Sequence, residues 1–259
     1  MWDHGQVIDA PKKSDRGRPR SGTNPRPDLS ASEQILDAAA HLFVERGYAA
    51  TSTRAIAEEV GIRQASLYYH FPSKEQILEV LLMRTVEPSM HAATYLSTAA
   101  AAPAVRLHAL IEFDTAALLG AAHNVGTLYF LPEVRNERFA AFRAERATLR
   151  GVYAALISET ITDHLRGELG ETLTSDAASA IGYLVDVVFG MVESVISIRA
   201  DRPSEAAAVL VDTIAQSCLR VLGHDSESIR DISASASDVL IELNRVSGQD
   251  KPGQDQPGG

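Results

Sequence analysis

Arg54, Arg63 and Lys74 each fall within the first turn of a segment whose apolar spacing predicts a helix. The positive end of a helix dipole disfavours cations there by about 0.3–1 kcal/mol. A phosphate at the same place reverses that sign, because free amides at a helix start and a neighbouring cation both bind anions. The hydroxyls of Thr51, Ser52 and Thr53 and the run Tyr68-Tyr69-His70 stand close by. Contact with a polyanion is the chemistry these residue types support. Glu58 and Glu59, at the far end of the second helix, are misplaced in the opposite sense and read as solvated. Elsewhere no nucleophile–base arrangement, phosphate loop or metal set is visible. His108 and Glu112 are spaced as metal ligands can be, but lack a third ligand. The reading therefore includes no cofactor, no metal and no enzymatic activity.

The elements that must position these residues are helices. Ser30-Ala31-Ser32-Glu33 forms a capping box, and a first helix runs to about Arg46 with Ile35, Ala39, Leu42 and Phe43 on one face. Gly47 predicts a left-handed cap. A second helix starts near Thr51 or Ser52, buries Ile56, Ala57 and Val60, and stops at Gly61. After the turn Gly61-Ile62-Arg63 a third helix covers Gln64–His70. Ser73 and Gln76 open a fourth with a second capping box, followed by Ile77, Leu78, Leu81 and Leu82. Three short helices with that second-to-third turn make a helix-turn-helix.

Beyond Pro88 the spacing predicts further helices over Pro103–Ala122, Val134–Asp163, Asp176–Arg199, Ser204–Leu222 and Ala236–Val246. The fold class is all-α: an N-terminal three-helix helix-turn-helix domain plus a larger helical C-terminal domain. The division reads as a disordered basic arm over 1–28, a DNA-binding domain over 29–89 with its reading motif at about 52–71, a helical domain over 90–246, and a disordered tail over 247–259.

A net charge of −10 over 259 residues looks wrong for a DNA binder, yet local charge sets the field that DNA meets. Residues 11–28 hold Lys12, Lys13, Arg16, Arg18, Arg20 and Arg26 against Asp15 and Asp28. Arg16-Gly17-Arg18-Pro19-Arg20 has the pattern of an arm that follows the narrow minor groove, with an ordinary solvated charge cluster as the alternative. One cysteine, Cys218, leaves no internal disulfide and fits a reducing compartment. No apolar run reads as long enough to span a bilayer and the N-terminus lacks a signal-peptide core, so the expectation is a cytoplasmic protein with no membrane partner.

Residues 31–82 resemble the N-terminal domain of the tetracycline-repressor (TetR) family. The matching residues are Ile35, Ala39, Phe43, Gly47-Tyr48, Thr51, Ile56-Ala57, Gly61, Leu67-Tyr68-Tyr69-His70-Phe71 and Ser73-Lys74-Glu75. The resemblance implies a third helix in the major groove, with Gln64, Ala65 and Ser66 facing bases and Arg63 joining them. Arg63 departs from the family, which more often has a small polar cap there. Tyr68, Tyr69, His70 and Lys74 would hold phosphates, helped by Thr51, Ser52 and Thr53 from the second helix, with packing as the alternative for Tyr68 and a helix cap for His70. Charge placement adds Arg54 to this DNA-facing set.

The resemblance also implies a C-terminal domain that dimerises and often holds a small-molecule effector. Segments 176–199 and 204–222 are too apolar around their circumference for exposed helices, and Ala177, Ala178, Ala180, Gly182 and Gly190 allow close approach. Two such helices and their symmetry mates make a four-helix bundle, whose two-fold axis suits double-stranded DNA with a palindromic operator. Phe113, Tyr129, Phe130, Phe142 and Tyr153 are the candidates for an apolar pocket, with plain core packing as the alternative. Asp186 and Glu193 share a face with Tyr183 and Gly190, as the rim of a dimer interface or the partner of a ligand cation. The leading function is a homodimeric, ligand-responsive regulator, most often a repressor in this family. A constitutive architectural DNA binder is the second reading.

Overall fold

The structure is a computed structural model that describes residues 29–168, 175–202 and 207–249. Among these residues nine α-helices follow one another: α1 (Ala31–Arg46), α2 (Thr53–Val60), α3 (Gln64–His70), α4 (Lys74–Thr98), α5 (Pro103–Gly120), α6 (Ala140–Glu168), α7 (Ser175–Asp201), α8 (Ala207–Val221) and α9 (Ser226–Gln249). Three short 3-10 turns over residues 125–139 link α5 to α6.

Helix starts follow the capping chemistry. The Ser30 and Ser73 hydroxyls accept from the amides of Glu33 and Gln76 at 3.2 Å each. Gly47 has a positive φ of 86° but an extended ψ of 148°, so it is not the left-handed helical cap the sequence predicts. Helix α4 continues through Pro88 to Thr98, past the boundary expected at residue 89. Pro88 lacks a donor and costs the helix one internal bond there.

Two differences lie further along. The helix expected from Val134 begins at Ala140 instead. The Arg143 guanidinium donates to the carbonyls of Val134 and Asn136 at 2.8 and 2.6 Å, which lets that stretch leave helical geometry with its acceptors satisfied. The last helix starts ten residues before the expected Ala236, because the Asp225 carboxylate caps it by accepting from Ser228 N at 2.8 Å.

Two apolar cores result. One joins α1–α4 to the 3-10 turns, Phe142 of α6 and Ile196 of α7. The other packs the end of α4 with α5–α9 around Leu107, Leu110, Tyr153, Val188 and Leu219. The bundle thus grips the N-terminal helices through a shared seam rather than a loose linker.

Helix α7 also corrects the reading of apolar runs. Ile181–Asp201 is 21 residues of mean hydropathy 1.8, long and apolar enough by length and composition to cross a membrane, and 28% of its most apolar stretch is buried. Its outer face carries exposed Tyr183 and Val187, and a side chain added at Gly182 or Gly190 would meet open space.

Candidate nucleic-acid interface

The turn between α2 and α3 is made by Gly61 in the left-handed conformation, φ 74° and ψ 30°. Its amide donates to Glu58 O at 3.1 Å and the Ile62 amide to Ala57 O at 2.9 Å, so the last carbonyls of α2 are satisfied by a reversal that favours glycine. Ile56, Ala57 and Val60 of α2, with Leu67 and Phe71, then lock both helices into the core beside Ile35, Leu42 and Phe43 of α1.

With those inward faces fixed, Arg63, Gln64, Ala65, Ser66, Tyr68 and Tyr69 all stand on the exposed face of α3 or at its cap. Tyr69 is 86% exposed. The Gln64 amide donates to Thr53 Oγ1 at 3.0 Å, and the Thr53 and Tyr68 hydroxyls are 3.0 Å apart. One polar cluster therefore spans α2 and α3, presenting an amide and two hydroxyls to whatever lies above. Ser52 caps α2 by accepting from the Ala55 amide, leaving its own hydroxyl hydrogen to donate outward. Arg54 is held by Glu58 one turn on at 2.8 Å. His70 lies 3.5 Å from the Ser32 hydroxyl and edge-on to the Tyr69 ring.

Two of the residues expected at phosphates turn inward. Thr51 is buried, and its hydroxyl sits 3.1 and 2.9 Å from the carbonyls of Leu42 and Gly47. The Lys74 ammonium donates to the carbonyls of Tyr48 and Thr51 at 2.9 Å each and lies 4.2 Å from the Tyr48 ring centre. Both side chains bond to carbonyls at the end of α1 and in the α1–α2 connection, tying that turn to the start of α4. Sequence spacing gives no sign of this, because the carbonyls that recruit Lys74 are more than twenty residues away. The arm residues Arg16, Arg18 and Arg20 lie outside the described residues.

The five pocket candidates do not line one space. Tyr129 and Phe142 pack at 5.3 Å, with the Arg146 guanidinium over both rings. Tyr153 is fully buried, stacks edge-on against Phe189, and donates to Asp114 Oδ2 at 3.1 Å. Phe113 is partly buried against the C-terminal core, while Phe130 is 70% exposed.

The polar partners inside this bundle escaped the sequence reading. Ser89 Oγ donates to the buried Asp114 carboxyl at 2.7 Å. Burial pushes that carboxyl up to about 6, against the opposing pull of hydrogen bonds from Ser89 and Tyr153. Asp186 and Glu193 are neither free nor aimed at a ligand: they pair with Arg150 and Arg146 of α6. Both partners sit on another helix, so spacing along α7 gave no sign of them. His108 Nε2 lies 3.0 Å from Glu112 and 2.8 Å from Ser233 Oγ, and no group of three metal-ligating side chains assembles among the described residues.

A three-helix core that pins a glycine turn, with a polar, aromatic outer face on its last helix, defines a helix-turn-helix DNA-binding protein. The sequence pattern described as "Bacterial regulatory proteins, tetR family" matches residues 35–81. The crystal structure of AmtR from Mycobacterium smegmatis is 41% identical, spans 84% of this chain and 98% of its own, and superposes with a TM-score of 0.72. The HTH-type transcriptional repressor KstR2 of Rhodococcus jostii is 28% identical over 73% of this chain and 87% of its own length. PfmR of Thermus thermophilus, at 24% identity over 72% of this chain and 97% of its own, shares the fold with a TM-score of 0.58. The chain belongs to the TetR family of DNA-binding transcription regulators. Its relatives are regulators rather than enzymes.

Proposed function

We propose that the protein is a homodimeric, sequence-specific repressor that occupies a palindromic operator and leaves it when a small-molecule effector binds the C-terminal bundle. The observation that carries the reading is the exposed polar face of α3; in this reading Gln64, Ala65 and Ser66 face bases while Tyr68, Tyr69 and His70 meet phosphates. Gln64 supplies a bidentate amide for adenine and Arg63 a fork for guanine.

Dimerisation is supported by the uncovered apolar face of α7 and α8. Tyr183 is 75% and Val209 65% exposed on one chain, a pattern that a second copy would bury. In such a dimer the two α3 helices enter successive major grooves at about 34–36 Å. Residues 29–89 then act as the reading unit, 90–246 as the effector and dimer unit, and the arm of 1–28 as a minor-groove clamp through Arg16, Arg18 and Arg20. A DNA-binding regulator of this kind works in the cytoplasm.

The test is fluorescence anisotropy with a duplex from upstream of the gene and a scrambled duplex, each at two salt concentrations, beside light scattering for mass. Tight, salt-sensitive preference for the native duplex by a dimer is the expected result. Equal binding to both duplexes would favour an architectural role instead, and a monomer that binds fully would overturn the two-fold geometry.

A further inference from the structure

Between α4, α5 and the first 3-10 turn lies a cleft of 160 Å³, beside the seam where α1 meets α4. Its walls are apolar: Leu81 and Pro88 from α4, Leu118 from α5, and Val125. The Thr85 hydroxyl also lines it but is already engaged, donating to Leu82 O at 2.6 Å and accepting from Tyr129 at 2.5 Å. Arg84 is the one charged side chain in the lining. Its guanidinium grips the Glu33 carboxylate of α1 through two bonds of 2.6 and 2.7 Å.

A guanidinium presents a rigid fork that fits a carboxylate, and one fork holds one carboxylate well. An occupant with an acid head at this rim therefore competes with Glu33. The space sets the size of its body: a cavity of about 150 Å³ takes up benzene, which corresponds to roughly six to eight carbons. A neutral apolar molecule would fill the walls without reaching for Arg84.

We propose that this cleft binds a small apolar monocarboxylate whose head group takes Arg84 from Glu33 and so unlatches α1 from α4. This rests on the reading of the chain as an effector-released repressor, and it names the class of effector and the contact that it breaks. Helix α1 packs on α2 and α3, so the latch adds a polar tie to the apolar core through which α1 carries the reading helices on α4. Released from it, the two α3 helices of a dimer lose their fixed spacing.

The test uses the full chain without DNA: titration calorimetry with benzoate and hexanoate against benzamide and hexanamide. Both acids bind, and the amides bind about tenfold or more weakly, as expected for loss of a charge-assisted pair. Arg84→Gln removes the preference for acid over amide. Glu33→Gln deletes the competitor, leaves the cleft intact, and tightens benzoate binding several-fold. Melting curves of both variants confirm folding. Equal affinity for acid and amide, no heat from either acid at millimolar concentration, or an unchanged preference in Arg84→Gln would overturn the site. Anisotropy on the operator complex then separates the two readings. Arg84-dependent benzoate binding that leaves the complex intact overturns the unlatching step. A chain that binds no operator under any condition overturns the repressor reading, while calorimetry still decides whether the cleft takes the acid.

Discussion

Arg84, midway along α4, and Glu33, in the first turn of α1, meet fork to fork although 51 residues separate them in sequence. Hydrogen bonding holds the Glu33 carboxyl below its ordinary range and the Arg84 guanidinium above its own. Both side chains are more than two-fifths exposed, so solvent screens the pair. Its direct contribution to stability is about 0.5–1 kcal/mol. A double-mutant cycle with Arg84→Ala and Glu33→Ala in urea denaturation should return a coupling in that range. A coupling near zero would show that the pair does not hold the seam.

Lys74 is expected to act as a fold contact rather than a DNA contact. Lys74→Met removes two charge-assisted bonds to backbone carbonyls and should destabilise the chain by about 1–3 kcal/mol. The slope of log affinity against log salt should stay the same. A slope lower by about one phosphate's worth would place the ammonium on DNA instead.

Gln64 and Tyr69 should separate in the way their positions imply. Gln64→Ala costs about 1–3 kcal/mol on the operator and little on a scrambled duplex. Tyr69→Ala weakens both duplexes by a similar factor, because a phosphate contact carries no sequence information. Anisotropy on the two duplexes reads both effects, and a Gln64→Ala loss that is equal on both would remove this residue from base recognition.

Asp114 gives the bundle a pH dependence with a definite sign. Its carboxyl rises from 3.8 to about 6 on folding, chiefly through burial. A raised acid binds more protons when folded, so its contribution is full below pH 4 and is lost as pH rises through about 6. Asp114→Asn removes that dependence. Relative to the wild type, the variant should gain stability between pH 4 and pH 7, by about 2–3 kcal/mol at the top of that range. Thermal or urea unfolding across that interval checks it, and parallel curves for the two proteins would refute it.

The local signals were legible one by one. Ser30 with Glu33, Ser73 with Gln76, and Gly61 mark helix ends, because caps depend on residues within four positions of each other. The aspartate cap at Asp225 was equally local and was missed, which put the start of α9 ten residues late. The helix expected from Val134 failed for a different reason: Arg143, a turn into α6, takes the carbonyls that would have continued the ladder. Among the candidate site residues, the exposed face of α3 was readable, since Leu67 within the helix and Phe71 at its cap turn into the core.

By itself the sequence determined an all-helical chain, the glycine turn, and the polar face of α3, all from periodicity and capping that act over a few residues. Tertiary structure alone decided that Thr51 and Lys74 face inward, that Asp186 and Glu193 pair with α6, and that Arg84 reaches Glu33 beside an apolar cleft. The reason is physical. A charged side chain takes a partner that lies within its reach, and which partner does so depends on how helices distant in sequence pack together.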